Sequence, residues 1–268
     1  MRTLSGLTLA LAISAATAPA AADSGIHPIV HGGSRILLGA AIEDRWLTAE
    51  ETSPRLRGGE RYRHYSLLHQ HGASEGSAPI SAGDPCPETM LVETVTPEGF
   101  DTVSVAGEWN ALVRIPKRLD PGLPVYRKAA ADWLTGRGLE TPAAELEQVI
   151  RVDLEGDGVD EVLLAANHRV ARQDGDISHA MSGDYSFVLL RRLKEGKVET
   201  LALADVIHVS PSPGDINYWY GIAAILDLNG DGVMEIIVKN GYYEGEGVAV
   251  FAVEAGKPKL IFDEGCGA

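Results

Sequence analysis

The sequence is short of several residue types, and each shortage narrows the functions it can have. Only two of its 268 residues are cysteine, and two isolated cysteines make a poor metal site. Basic residues are outnumbered, with 23 Lys and Arg against 38 Asp and Glu and a formal net charge of -15. Nucleic acids and anionic membranes both attract basic surfaces, so neither is expected as a partner.

Long apolar runs are missing except at the N-terminus, so no membrane span is predicted, because a span needs roughly 20 apolar residues. Arg2 leads into an apolar run over 4–13, which ends in the alanine-rich segment 18–22. This pattern predicts a cleaved signal peptide over residues 1–22. The mature chain is then expected to be secreted or periplasmic. The alternative is an uncleaved anchor.

No catalytic constellation can be selected from the sequence. It has no His-Glu-x-x-His helix and no Gly-x-x-x-x-Gly-Lys phosphate loop. Carboxylates are so frequent that a glycosidase pair cannot be chosen from spacing. We therefore predict no catalytic residue.

The two cysteines, Cys86 and Cys266, are predicted to form one disulfide, because an exported chain matures in an oxidising compartment. The bond would tie the C-terminal tail to the first half of the chain. Closing a loop of this length stabilises a fold by roughly 3 to 5 kcal/mol in the chain-entropy model.

The N-terminal region, residues 23–120, is expected to be rich in β-strands. Apolar runs at 36–40 and 45–47 flank a short acidic turn and predict a hairpin. Thr48 lies three residues before Glu51, which is the spacing of a capping box and predicts a short helix or turn that ends near Gly58 and Gly59.

Further along this region, apolar and polar residues alternate over 61–68, which is typical of a strand. Residues 72–87 are rich in Gly, Ser, Ala and Pro and are expected to form a loop. Strands are predicted again over 89–95 and 102–106.

One clear helix is predicted at the start of the second region, residues 121–268. Three prolines before it mark a corner of the chain, and glycines at 136 and 138 close it. Its buried face is expected to carry apolar residues that recur at helical spacing: Tyr126, Ala129, Ala130, Trp133 and Leu134.

Two repeats follow the helix, at 148–204 and 221–263. Each has four strand-like runs, and a glycine turn joins the third run to the fourth. Each repeat is therefore predicted to be a four-stranded antiparallel meander, in a mainly β fold with propeller-like or stacked sheets. This region is either separate from residues 23–120 or forms one continuous domain with them.

An acidic loop joins the first run to the second in each repeat. Asp153–Glu161 is answered 74 positions later by Asp227–Glu235. Oxygen-bearing side chains fall at loop positions 1, 3, 5 and 9, and glycine occupies position 6. Calcium takes roughly six to eight oxygen ligands, and a glycine permits the sharp turn around it. The repeat thus predicts two calcium sites, with magnesium disfavoured because it retains more of its water.

These loops are not EF-hands, because position 12 of an EF-hand is a glutamate and is Leu164 or Val238 here. They resemble the FG-GAP or VCBS repeats, whose loops follow the pattern D-x-[DN]-x-D-G-x-x-[DE], over roughly residues 148–263. The resemblance implies β-propeller-type blades with calcium ligands at positions 1, 3, 5, 7 and 9. The implied ligands are Asp153, Glu155, Asp157, the Val159 carbonyl and Glu161, and then Asp227, Asn229, Asp231, the Val233 carbonyl and Glu235.

The two loops are not expected to bind calcium equally tightly. Glu155 at position 3 is longer than the usual Asp or Asn, whereas the second loop has Asn229 there. The second site is therefore expected to be the tighter one.

Five aromatic residues flank the second loop in the sequence, and they are either a platform for sugar or peptide or a seal between sheets. They are Tyr218, Trp219, Tyr220, Tyr242 and Tyr243.

The expected function is an exported calcium-binding module with an unknown protein or glycan partner. The alternative is an envelope or secreted hydrolase that acts on polysaccharide or peptide and uses calcium structurally. A third hypothesis is a domain that binds calcium and nothing else.

Overall fold

The computed structural model describes residues 25–43, 45–97, 101–140, 144–171 and 178–267. The predicted signal peptide, residues 1–22, lies outside the described residues. The fold is mainly β, as predicted, with several antiparallel sheets. In the described residues, no helix is both long enough and apolar enough to cross a membrane.

The first sheet belongs to the N-terminal region and has six antiparallel strands in the order β3-β2-β1-β8-β4-β5. Its strands are β1 (Ile26–His31), β2 (Leu37–Ile42), β3 (Arg45–Thr48), β4 (Arg61–Tyr65), β5 (Gln70–Glu75) and β8 (Val103–Val105). The pairing of β2 with β3 confirms the predicted hairpin. A separate two-stranded sheet is formed by β6 (Ile80–Ser81) and β7 (Met90–Leu91).

Two helical segments follow β3, namely α1 (Ala49–Thr52) and the 3-10 turn Ser53–Arg55. The capping box is present as predicted. The Glu51 amide donates to the Thr48 hydroxyl at 3.2 Å, and the Thr48 amide donates to the Glu51 carboxylate at 3.0 Å. Each bond satisfies a backbone donor that the first helical turn would leave unpaired.

The second and third sheets contain the two repeats. The second sheet has the order β13-β12-β11-β10-β9, and the third has the order β14-β15-β16-β17. Both predicted four-stranded meanders are confirmed, and β9 (Lys117–Arg118) is added to the edge of the first. The repeat strands are β10 (Gln148–Val152), β11 (Glu161–His168), β12 (Tyr185–Lys194), β13 (Lys197–Ile207), β14 (Trp219–Leu226), β15 (Glu235–Tyr242), β16 (Gly245–Glu254) and β17 (Lys257–Gly267).

The predicted helix is α2 (Pro124–Thr135), and a proline stands at its start, where no intrahelical donor is lost. Ala130 and Leu134 are fully buried in a cluster with Leu164 and Phe187 of the second sheet. The helix therefore covers one face of the first repeat. Trp133 and Tyr126 pack at the edge of this cluster, which is a structural role rather than a ligand contact.

One hydrophobic core joins the first, second and third sheets. It contains Ile29 and Val103 from the first sheet, Leu163 from the second, and Ile225 and Val250 from the third. The N-terminal region and the repeats therefore bury their apolar faces against each other.

A side chain from the first repeat also extends the backbone pairing of the second. The side-chain Nε2 of Gln148 donates to the Ile222 carbonyl at 3.0 Å, and the Ile222 backbone amide donates to the Gln148 Oε1 at 2.8 Å. Gln148 thus closes the junction where the edge of β14 meets the first repeat.

The predicted disulfide between Cys86 and Cys266 is present, with a Cα to Cα distance of 5.6 Å. Thr89 supports the same junction, because its hydroxyl donates to the Gly265 carbonyl at 2.7 Å. The C-terminal strand β17 is thereby attached to the N-terminal region. A disulfide fits an oxidising, extracytoplasmic compartment.

The expectation of a loop over 72–87 is partly wrong. Residues 70–75 form β5, which pairs with β4 and places Tyr62 opposite Ser74. These residues form a strand because they pair with β4. They are small and lie on an exposed edge strand, so the sequence has no alternation of apolar and polar residues that would predict one.

Candidate functional site

The two acidic loops lie side by side in the fold. The Met234 amide, in the second loop, donates to the Leu154 carbonyl of the first loop at 3.0 Å. Leu154 and Leu228, at position 2 of each loop, are fully buried in the common core. The repeat in the sequence is therefore also a spatial pair, with equivalent side chains anchoring both loops.

Arg114 joins the two loops, and nothing in the sequence pattern predicted it. Its Nε donates to the Asp153 carbonyl at 2.5 Å. Its Nη2 donates to the Leu154 carbonyl at 2.8 Å and to the Gly232 carbonyl at 2.7 Å. One guanidinium thus holds three backbone carbonyls from both loops.

Trp109 caps the second loop from the same N-terminal segment. Its indole Nε1 donates to the Asp227 carbonyl at 2.7 Å, and the Asp227 amide donates to the Ala111 carbonyl at 2.8 Å. The indole lies over Gly230, where an added Cβ would come within 3.1 Å of the ring. The indole ring of Trp109 therefore packs against the second loop.

The aspartate at position 1 organises each loop internally. Asp227 accepts the Gly230 amide at 2.6 Å on one oxygen and the Gly232 amide at 3.0 Å on the other. Asp153 accepts the equivalent amides of Gly156 and Gly158 at 2.7 and 2.9 Å.

The glycine at position 6 has the conformation that the sequence predicted for it. Gly158 and Gly232 both have a φ of 88°, in the left-handed region that other residues rarely adopt. Both loops therefore turn sharply at the predicted place.

The glutamate at position 9 is buried in both loops, with 5% of Glu161 and 2% of Glu235 exposed. Each accepts the amide of the buried leucine at position 2, Leu154 at 3.0 Å and Leu228 at 2.8 Å. Burial, with the nearby charges of Asp231 and Asp227, raises the pKa of Glu235 to about 8. Burial also raises the pKa of Glu161.

The side chains at positions 3 and 5 lie nearer the surface. In the second loop, the side-chain Nδ2 of Asn229 donates to Asp231 at 3.0 Å, and Asp231 accepts the Val233 backbone amide at 2.7 Å. In the first loop, Glu155 lies 3.8 Å from the guanidinium of Arg192.

Two further contacts complete the first loop. Asp157 accepts the Val159 amide at 2.8 Å, as its counterpart does in the second loop. Asp160 lies 3.1 Å from Arg151, so it is already ion-paired and is not one of the predicted ligands.

The loop carboxylates in this structure bind backbone amides and do not converge on one point. Over the described residues, no three His, Cys, Asp or Glu side chains are grouped so that they could hold a metal ion. In the second loop, the surface oxygens of Asn229 and Asp231 would have to turn towards the buried Glu235 to surround a cation.

Comparison with known protein families, curated proteins and solved structures finds no match to this chain. Its function must therefore be argued from its own residues. The likeness to FG-GAP or VCBS repeats remains a hypothesis carried by the two loops.

The predicted aromatic residues lie at the opposite end of the β14–β15 hairpin from the second loop. The loop follows the pair Leu226 and Glu235, whereas Trp219 pairs with Gly241 at the far end. The rings therefore do not border the second acidic loop. The indole of Trp219 covers Gly241, where an added Cβ would come 2.6 Å from Nε1.

The aromatic residues also divide between different surroundings. Trp219 and Tyr220 line a cleft of about 670 Å³ where the sheets meet. Tyr218 and Tyr242 contact each other, with ring centroids 5.3 Å apart. Tyr243 is 62% exposed, so it contributes to neither group.

The same cleft contains charged groups that sequence reasoning missed. Asp101 accepts a hydrogen bond from His31 Nε2 at 2.9 Å and contacts the Lys239 ammonium. Burial alone would raise the pKa of Asp101, but the hydrogen bonds from His31 and Lys239 lower it to about 2. Other cleft residues are Arg118, Glu147, Gln148, Asn167 and His69.

The sequence also contains one Gly-x-Ser-x-Gly pattern, at residues 72–76. The pattern marks a nucleophile only on a strand-to-helix turn. Ser74 instead lies within β5, where its hydroxyl bonds to His64 Nε2 at 2.9 Å. The match therefore identifies no nucleophile elbow.

Proposed function

We propose that this protein is an exported calcium-binding β-repeat module of the FG-GAP or VCBS type. The observation that carries the proposal is the buried Glu235, which ends a loop of oxygen-bearing side chains and has two further carboxylates nearby. An ionised carboxylate is costly to bury unless a positive charge compensates it. A cation in the loop would supply that charge.

The donor set of the second loop suits calcium. Carboxylate oxygens have two lone pairs each, so Asp227 can bind backbone amides and a cation at the same time. Asn229 is half-buried and Asp231 is exposed. Both side chains can turn inward, and the Val233 carbonyl completes the predicted shell. Magnesium takes fewer protein ligands and prefers strict octahedral geometry, so calcium is the better fit.

The proposed role of calcium is to fix one strand to the next. Each loop joins the first and second strands of its meander, so closing the loop around a cation converts part of the binding free energy into folding free energy. The hydrogen bond from Met234 to Leu154 would transmit the ordering of one loop to the other.

The binding surface that we propose for a glycan or protein partner is the cleft beside Trp219 and Tyr220. Aromatic rings with neighbouring charged and amide groups are typical of sites that hold amphipathic ligands. Trp219→Ala is expected to abolish capture of such a ligand and to leave the calcium dependence of unfolding unchanged, because Trp219 lies far from the second loop.

Thermal unfolding of the mature chain tests calcium binding. Calcium is expected to raise the melting temperature above its value in chelator, and Asp231→Ala is expected to remove most of this increase. The matched control is Asp160→Ala, since Asp160 pairs with Arg151 and is not one of the predicted ligands. Identical melting curves with calcium and with chelator would overturn the proposal, and an equal response to magnesium would overturn the choice of ion.

A further inference from the structure

Ser34, His31 and Asp101 form a hydrogen-bonded chain at the tip of the β1–β2 hairpin. The Ser34 hydroxyl oxygen lies 2.8 Å from His31 Nδ1, and His31 Nε2 lies 2.9 Å from an oxygen of Asp101. This order of hydroxyl, imidazole and carboxylate is that of a nucleophile, its general base and the residue that orients the base.

The carboxylate determines which imidazole nitrogen carries the proton. Because its pKa is about 2, Asp101 is ionised at neutral pH and can only accept a hydrogen bond. In the neutral form of His31, Nε2 therefore carries the proton and Nδ1 has a lone pair. The Ser34 hydroxyl is the nearest donor to that lone pair at 2.8 Å, and the Ser34 amide is farther away at 3.3 Å.

The fold explains why these three residues meet. His31 and Ser34 lie three residues apart in a tight turn, which the His31 amide closes by donating to the Ile36 carbonyl at 2.9 Å. A Cβ at residue 33 would lie 3.2 Å from the imidazole, so a glycine there keeps the ring clear. Strand β8 pairs His31 with Val103, which brings the nearby Asp101 to the imidazole.

The chain of groups faces a cavity of about 250 Å³. His31 and Ser34 line one side of it, and β14, β15 and β16 supply the other. The cavity shares Trp219, Lys239 and Asp101 with the 670 Å³ cleft, so the two lie side by side. Its remaining polar wall consists of Asn240 and Glu246.

We propose that Ser34 is the nucleophile of an acyl-transfer site that hydrolyses carboxylic esters with a short acyl group. The size of the cavity limits the length of the acyl group, because 250 Å³ is below the usual range of roughly 300 to 1,000 Å³ for drug-sized ligands. The larger cleft would hold the alcohol portion of the ester against Trp219. The proposal does not depend on calcium binding at the acidic loops.

The reaction balances with water as the only co-substrate. The Ser34 oxygen bonds to the ester carbonyl carbon while its proton passes to His31 Nδ1. The carbon–alkoxide bond then breaks, and the alcohol leaves with that proton. Water repeats the sequence on the acyl-serine and releases the carboxylic acid, which restores the Ser34 hydroxyl. The Lys239 ammonium and the Asn240 amide are the side-chain donors in the cavity wall that can stabilise the carbonyl oxygen.

Covalent labelling of the mature chain tests the nucleophile directly. A fluorophosphonate forms a serine–phosphorus bond and releases fluoride, so intact mass and peptide mapping should show one adduct, at Ser34. Ser34→Ala should not be labelled. The matched control is Ser178→Ala, because the Ser178 hydroxyl also lies near a histidine, 3.0 Å from His179 Nδ1, but on the exposed surface. That variant should be labelled as the unaltered protein is.

Turnover of p-nitrophenyl butyrate gives the second readout. Ser34→Ala should lower kcat/KM by at least about 100-fold with its melting temperature retained. Asp101→Asn should lower kcat by at least about tenfold and leave KM within about twofold, because Asp101 acts on the reaction through its hydrogen bond to His31. Absence of an adduct at Ser34 would overturn the proposal, and so would turnover that survives in folded Ser34→Ala. Neither result would affect the calcium dependence of unfolding.

Discussion

The Nη2 atom of Arg114 donates hydrogen bonds to both the Leu154 carbonyl and the Gly232 carbonyl, so one atom connects the two acidic loops. Arg114 comes from the N-terminal region, whereas both carbonyls belong to the repeats. The loops are thus held from outside their own meanders. A guanidinium suits this position because its planar donors reach several carbonyls at fixed angles.

Replacing Arg114 should destabilise both loops together. Arg114→Met keeps much of the apolar stem but leaves three carbonyls without this donor, and we expect a loss of about 1 to 3 kcal/mol in the free energy of unfolding. Urea denaturation in chelator measures it. The control is Lys128→Met, which removes only an exposed ion pair with Asp132 and should cost less than about 0.5 kcal/mol. Equal stability of the two variants would contradict the structural role of Arg114.

Replacing the buried Glu235 should change the melting temperature in different ways in chelator and in calcium. Glu235→Gln replaces a buried carboxylate by a neutral group of the same shape, which should raise the melting temperature in chelator. The same change removes a charged ligand, so the increase caused by calcium should disappear. Differential scanning calorimetry in chelator and in calcium measures both effects. A variant that is destabilised in chelator and still responds to calcium would contradict this prediction.

The two meanders could be predicted from the sequence because their signals are local. Aliphatic runs lie on both sides of Asp153–Glu161 and of Asp227–Glu235, and the glycines fall where the loops must turn. The contacts of Arg114 and Trp109 could not be predicted in this way, because they depend on how residues 109–114 cross the ends of two sheets.

The chain of Ser34, His31 and Asp101 was missed for a similar reason. Two of its members are close in sequence, but the third is 70 residues from His31 and reaches it only through the register of β1 with β8. Spacing along a single sequence carries no information about that register. For the aromatic residues, closeness in the sequence was misleading. Trp219 is near the second loop in the sequence but distant from it in the fold.

Glu264 is expected to give the protein a pH-dependent loss of stability. Burial, assisted by the charge of Asp263, raises the pKa of Glu264 from its ordinary 4.5 to about 6. The folded state therefore binds this proton more tightly than the unfolded state. Its stabilising contribution is present below pH 4.5 and is lost as the pH rises through 6.

Urea unfolding at several pH values between 4 and 7 tests this contribution. Glu264→Gln should lose less stability across this range than the unaltered protein does, because glutamine has no proton to release. Glu254→Gln is the control, since Glu254 lies on the surface beside Lys259. If Glu264→Gln follows the unaltered protein at every pH, the carboxylate does not titrate as the structure indicates.

The disulfide between Cys86 and Cys266 should contribute most to stability of any single feature near the C-terminus. It closes a loop across 180 positions, and in the chain-entropy model its loss costs about 3 to 5 kcal/mol. The double variant Cys86→Ala with Cys266→Ala should therefore unfold at a lower urea concentration than the oxidised protein. Reductant should shift the urea midpoint of the unaltered protein towards that of the variant and leave the midpoint of the variant unchanged.

The hydrogen bond from Thr89 to Gly265 remains in both proteins, so a residual attachment of β17 is expected. A midpoint that does not respond to reductant would show that strand pairing and core packing hold β17 without the covalent link.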